Sequence, residues 1–306
     1  MSRDLTPSRR DDSRESPSRT RAHAPRIERS PLRQESKPTS HSPLESGSSA
    51  LGITRPREAP LPEFRAVFHD RGRAYRLCGS EVHTLTALGE FRVIAMDDLA
   101  KHAYGEDREE ARKDIQNLSR QGLIRQGTFE GPDGSALELL TLTRNGHRFV
   151  CSNRFLPDGQ STYHGFVKRK EANHDADLYR LYQKEAGRIL DRGGRNLRVV
   201  LDFELKRKLN RDFATFGTQA RAEIAARHGL QVVGNKIPIP DLRIEYETRE
   251  GHIARADLEL TSEHYRPRQL AEKARAGFSF YVPRGEADRL RRVLDQRELT
   301  AEILSL

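Results

Sequence analysis

Two kinds of support are missing from this chain: covalent staples and long apolar runs. It has two cysteines, Cys78 and Cys151, with no CxxC spacing. A disulfide framework is therefore excluded, and a cysteine-based metal site is not expected. A reducing cytoplasm suits that usage. No apolar run approaches the roughly 20 residues of a bilayer-spanning helix, so no membrane association is expected. The N-terminus lacks the apolar core of a secretory signal, and the acids among its arginines speak against a transit peptide.

Apolar residues are scarce as well, at 35% against 32% charged. The shortage is concentrated in residues 1–65, where isolated Leu, Ile and Ala sit in stretches such as SRRDDSRESPSRTRAHAPRIERS. Such a segment cannot bury enough surface to offset its ordering entropy, and it is expected to be a disordered, basic, Ser-rich arm. The length allows about two domains. What is plentiful is positive charge: Lys and Arg number 54 against 45 Asp and Glu, for a net +9. Acidic partners are expected, with nucleic acid first among them.

Residues 74–150 have a regular plan. Ser80 is placed to cap a helix carrying Val82, Leu85 and Leu88. The MDD run opens a short helix with Leu99 and Ala103, and Gly105 breaks it. A third helix spans about Asp107 to Gln121, with Ala111, Ile115 and Leu118 at helical spacing, and Gly122 ends it. GLIRQGTF and ALELLTLT then alternate as two strands around the turn GPDGS. Three helices followed by a two-stranded wing predict a winged helix-turn-helix. The outer face of the third helix shows Arg108, Arg112, Lys113, Gln116, Asn117 and Arg120, residue types that reach phosphates and base edges. Glu109, Glu110 and Asp114 share that helix and weaken such contact. The plainer reading is a solvated helix face, or a protein-docking module.

Residues 151–170 read as a connector, and 171–306 as an α/β unit. Leu178, Leu181, Tyr182, Glu185 and Ile189 share one helix face, ended by Gly193 and Gly194. A strand over 198–205, RVVLDFEL, precedes a helix or helix pair over about 206–228. GLQVV, LRIEY and ARADLEL are the next strands. A helix from Pro267 to about Phe280 and a last helix over about 285–297 follow.

The chemistry concentrates late in the chain. Asp241 follows Pro240 where LRIEY begins. Asp257 and Glu259 lie two apart on the next strand and so share one side of the sheet. Lys273 flanks the apolar stripe of Leu270, Ala274, Gly277 and Tyr281, where an ammonium is costly without acidic partners. These groups can together hold one hard divalent cation, magnesium being the expected one, and orient water for phosphodiester attack. The alternative is a plain ribbon with outward acids and a snorkelling lysine. Asp175, beside His174, reads as a helix cap rather than half of a catalytic pair. Tyr163 has no HxH cluster to make it a relaxase nucleophile.

The winged-helix pattern ending in LELLTLTRNGHRFV, followed by NHDADLYRLY, LDFELKRK, IPDLRIEY and DLELTSEHYRPRQLAEKARAGFSFY, resembles the replication-relaxation family of bacterial plasmids and integrative elements. The resemblance covers about residues 75–282. It implies an α/β chain, α+β overall, in which a winged helix precedes a restriction-endonuclease-like domain similar to the PD-(D/E)xK fold. It makes Asp241 the PD acid and Glu259 the (D/E) acid, these two being the implied metal ligands. Asp257 would assist. Thr261 stands where the motif has its lysine, so Lys273 would supply that charge from the next helix. Glu204, on the expected strand VVLDFEL, would be an additional acid, with Glu185 the runner-up. The implied activity is magnesium-dependent DNA cleavage in plasmid replication, relaxation or mobilisation. The implied partners are double-stranded DNA and replication or conjugation proteins, with a dimer compatible. Two other classes stay open: a winged-helix transcriptional regulator whose C-terminal domain is non-catalytic, and an adaptor in a conjugation complex.

Overall fold

The computed structural model describes residues 64–131, 134–166, 169–261, 266–282 and 287–305. The expected arm lies outside these residues except for its last two, and so do Pro132 and Asp133 of the expected turn.

The described chain begins with a hairpin that sequence patterning did not predict. Strands β1 (Ala66–Asp70) and β2 (Arg73–Leu77) pair antiparallel. Arg71 and Gly72 between them have φ of 46° and 78°, the positive pair that a two-residue hairpin turn demands. Helix α1 (Gly79–Phe91) follows. Its cap is Cys78 rather than Ser80: the Glu81 carboxylate accepts the Cys78 N–H at 2.9 Å, and the Ser80 hydroxyl donates to Asp114 instead.

After the short strand β3 (Ile94–Ala95) come α2 (Met96–Ala103) and α3 (Arg108–Arg120), close to the expected spans. Asp107 caps α3, accepting the N–H groups of Glu109 and Glu110 at 3.0 and 2.9 Å. Strands β4 (Ile124–Glu130) and β5 (Ala136–Leu142) pair antiparallel, with β3 on the far side of β5. Strand β5 stops at Leu142, before the RNGHRFV end of the winged-helix pattern. Thr143 accepts the Gly146 N–H at 3.0 Å and opens α4 (Arg144–Ser152). Gly146 comes so close to the neighbouring chain that a Cβ there would lie 1.9 Å from the Leu123 carbonyl oxygen.

Helix α5 (Arg169–Asp191) leads into a mixed sheet. Strand β6 (Arg195–Leu201) is followed by α6 (Asp202–Phe216), a 3₁₀ turn (Thr218–Ala220) and α7 (Arg221–Arg227). Then come β7 (Leu242–Glu247), β8 (Ile253–Leu260), α8 (Pro267–Arg275), β9 (Ser279–Val282), α9 (Ala287–Asp295) and β10 (Ile303–Ser305). The sheet order is β10-β9-β8-β7-β6. The first three strands in sequence run antiparallel, while β9 is parallel to β8 and β10 to β9. The α/β character expected from the pattern is therefore present.

Three segments differ from expectation for visible reasons. The strand over 198–205 ends at Leu201: the Asp202 N–H makes one last bond across to the Asp241 carbonyl at 3.2 Å, and Asp202 and Glu204 then suit a helix N-terminus. GLQVV forms no strand. Gly229 takes φ 59°, its carbonyl is given to the Arg243 guanidinium, and Val233 makes one isolated bridge to Lys236. The helix opened by Pro267 stops at Arg275, and Gly277, at φ 82°, turns the chain into β9, so Tyr281 lies on a strand.

Alternation divides the sheet. Val199, Leu201, Leu242, Ile244, Leu258, Leu260 and Tyr281 pack on Leu178, Leu181, Tyr182 and Ile189 of α5 in one buried cluster. The same cluster contains Leu85, Leu88, Phe91, Leu99 and Leu118 from the first three helices. Opposite strand positions on β7 and β8 carry Arg243, Asp257 and Glu259. Near β9 that second face is covered by Leu270, Ala274, Leu290 and Leu294, which pack on Phe280 and Val282.

Candidate functional site

The polar face of the sheet brings several charged groups together. Leu242 is paired with Leu258 and Arg243 with Asp257, so the next step of the register sets Asp241 against Glu259. The Leu260 N–H donates to Asp241 Oδ2 at 3.0 Å. Lys273 reaches down from α8, forms an ion pair with Glu259 Oε1, and places its Nζ 3.9 Å from Asp241 Oδ1. Glu259 is fully buried. Asp241, just ahead of β7, thus converges with Glu259 of β8 and Lys273 of α8. Sequence spacing did not bring His174 to this place, yet its Nε2 lies 3.8 Å from the same Asp241 Oδ1. Since α5 begins at Arg169, His174 and Asp175 lie in its second turn and the expected helix cap is not made. Burial pushes the Asp175 carboxyl up to about 6 against the attraction of His174 and Arg92, with Asp202 and Glu171 adding repulsion.

The other predicted acids are taken up by structure. Asp257 is gripped at both oxygens by Arg243, through Nε at 2.5 Å and Nη2 at 2.8 Å. Arg243 is 2% exposed and also donates to the carbonyls of His228 and Gly229. Glu204 sits in the first turn of α6 and not on a strand. It accepts from Arg198 at 2.8 Å and from Tyr163 at 3.2 Å, and Lys208 lies 2.6 Å away. Burial pushes that carboxyl up, but Lys208 and Arg198 outweigh it and hold it below the usual range. Glu185 accepts from Tyr281 at 2.6 Å and Arg188 at 2.9 Å.

Asp241 and Glu259 fit a hard cation by donor chemistry: both are carboxylates, and with Lys273 the trio carries one net negative charge. Among the described residues, the His174 ring nitrogen and the Lys273 ammonium lie 3.8 and 3.9 Å from Asp241 Oδ1, beyond hydrogen-bond distance, so that oxygen can face an ion. Among the described residues, one group of three ligand-type side chains lies within 4.8 Å of one another: Cys78, Glu81 and Asp114. Protein donors already fill it. Arg65 and Asn117 bond Glu81, while Ser80 and Tyr104 bond Asp114.

The outer face of α3 keeps Arg108, Arg112, Lys113, Gln116 and Arg120 exposed. Arg108 pairs with Asp97 at 3.2 Å. Asn117, expected on that face, turns inward and donates to Glu81. Asp114, expected to weaken DNA contact, is buried and does not share the outer face. Among the described residues, no helix is long and apolar enough to cross a membrane. No family model, curated protein or solved structure matches the chain.

Two outcomes follow for stability. Asp257→Ala leaves Arg243 buried without its carboxylate and lowers unfolding free energy by about 3–5 kcal/mol in denaturant titration. A loss under about 1 kcal/mol would show that the pair is not a structural lock. Asp175 titrates near 3.8 when unfolded and at about 6 when folded. Its charge therefore opposes folding above the folded value and has no effect below the unfolded one. Asp175→Asn should raise the melting temperature by a few degrees at neutral pH, with the gain gone below about pH 4. A gain independent of pH would contradict the burial argument.

Proposed function

We propose that this chain is a double-stranded DNA-binding protein of the replication-relaxation type, with a metal-dependent nuclease-like site. On this reading α1–α3 with β4 and β5 form a winged helix-turn-helix. The sheet β6–β9, flanked by α5 and α8, is the PD-(D/E)xK-like domain. The process would be replication, relaxation or mobilisation of mobile-element DNA in the bacterial cytoplasm. The observation that carries the reading is the convergence of Asp241, Glu259 and Lys273 on opposed strand positions and the following helix.

Each group has a role under this proposal. Arg112, Lys113, Gln116 and Arg120 dock the duplex through phosphates and base edges. Asp241 and Glu259 would hold magnesium. When bound, the metal would make water a better nucleophile and neutralise phosphate charge. Lys273, from α8, contributes the positive charge that Thr261 cannot, and can meet an anionic phosphate oxygen. His174 contributes a hydrogen-bonding group at the open side of Asp241.

One observation favours a second reading. The ammonium of Lys273 already neutralises Glu259, as it would in a site used only as architecture. The protein would then be a winged-helix regulator whose C-terminal domain makes dimer or partner contacts.

Incubation of the purified protein with supercoiled plasmid separates the two. With magnesium or manganese, nicked or linear DNA should appear, and EDTA should abolish it. Asp241→Ala should lower the rate by about 100-fold or more while leaving the gel shift intact, since even outer partners of metal ligands cost about 10–100-fold. A gel shift with no cleavage in any metal would overturn the nuclease reading and leave the regulator.

A further inference from the structure

Beside α3 lies a second basic element. The hairpin of β1 and β2 carries Arg71, Arg73 and Arg76, all exposed. Its one acid, Asp70, is buried and held by Arg148 at 2.8 Å. The hairpin is tied to the C-terminal half of α3. Arg73 Nη2 donates to the Gln121 carbonyl at 3.0 Å. The Gln121 side chain bonds both backbone groups of Arg76, at 3.0 and 3.1 Å. Asn117 reaches the same Arg76 carbonyl at 3.5 Å.

Asn117 and Gln121 are four residues apart and so lie on one flank of the helix. Ser119 falls between them in sequence and hence across the helix, and there it accepts from Gln126 of β4 at 2.9 Å. The outward face with Arg112, Lys113, Gln116 and Arg120 is therefore bordered by β1–β2 on one flank and by β4–β5 on the other.

The two borders differ in charge. On β4–β5 the exposed ionisable groups are Arg125, Glu130 and Glu138, and the Arg125 guanidinium lies 4.9 Å over the Phe166 ring. That border is net acidic, whereas β1–β2 is basic. Its tip is also pre-ordered. The tight Arg71-Gly72 turn fixes the loop, and the Arg73 guanidinium stacks 5.1 Å over Tyr75. Fixing a phosphate-binding fork before contact lowers the ordering cost of binding.

We propose that the β1–β2 hairpin grips the phosphate backbone of a duplex seated on α3, a role the acidic β4–β5 pair is unsuited to fill. The proposal rests on α3 being the duplex-docking helix.

The test is fluorescence anisotropy with a short labelled random-sequence duplex across a salt series, using the full chain. Arg71→Ala/Arg76→Ala removes two guanidinium groups and leaves the Arg73–Gln121 tie in place. It should weaken binding and lower the slope of log K against log salt by about 1.8. Circular dichroism melts should match wild type. Glu130→Gln/Glu138→Gln should leave the slope unchanged. If Arg112→Ala/Lys113→Ala lowers the slope while the hairpin variant keeps the wild-type value, the hairpin proposal fails and the α3 reading stands. A hairpin variant that loses binding beside an unaffected α3 variant overturns the placement next to α3. Wild-type protein without salt-dependent binding overturns both.

Discussion

Helix α5 has to bury one face against two different surfaces at once. Its 23 residues reach about 34 Å at 1.5 Å per residue. Near its start, Ala172 and Ala176 lie against Val93, Ala95 and Leu139, where small side chains let the backbones approach. In the middle, Tyr179 and Tyr182 meet Phe91 with ring centroids 5.2 and 5.0 Å apart. Farther on, Ile189 joins the apolar side of the sheet. Arg180 adds a two-pronged bond to buried Asp98 of α2, at 2.9 and 2.8 Å. Each buried Leu or Ile on that face contributes about 1.5–3 kcal/mol. The outward face of α3 and the carboxylates of the sheet are thereby held in one body, and His174, on the same helix, is carried to Asp241.

A chain this charged and this poor in apolar residues must also settle its buried ions. Removing a charge from water costs several kcal/mol unless a partner and hydrogen bonds replace the solvent. Arg243 with Asp257, Glu204 with Arg198 and Lys208, and Glu81 with Arg65 and Asn117 meet that demand inside the fold. Their partners saturate them, so little bonding capacity is left for a ligand. Asp241 differs. One of its oxygens is fixed by the Leu260 amide, while the other has, among the described residues, the His174 ring nitrogen and the Lys273 ammonium at 3.8 and 3.9 Å. That contrast, rather than the presence of acids, separates the candidate site from the ion pairs around it.

Much of this was legible in the sequence where a single periodicity ruled. The apolar stripes of α1, α3 and α5 and the alternation of β5, β7 and β8 identified those elements. Pro240 ahead of Asp241, and the spacing to Glu259, marked two members of the site. The misses came from groups whose partners are distant in sequence. Arg243 opposes Asp257 only once the strand register is fixed, and it also draws in the carbonyls of His228 and Gly229, which stops GLQVV from extending. Glu204 falls in the first turn of α6, where an acid suits the helix N-terminus. The β1–β2 hairpin was hidden by its charge: only Tyr75 and Leu77 are buried along β2, too few to make a pattern, although Arg71-Gly72 was a visible turn signal. His174 could be placed only after the start of α5 was known.

Helix α5 fuses the α3 face and the Asp241 site into one cooperative body. Hydrogen exchange read by mass spectrometry at increasing denaturant tests it most directly. Peptides from α3 and from β8 should converge on one global opening curve, with the same free energy and the same denaturant slope. If α1–α4 open on their own curve, at lower free energy and with a smaller slope, while β7 and β8 stay protected, the two regions fold independently and α5 does not couple them.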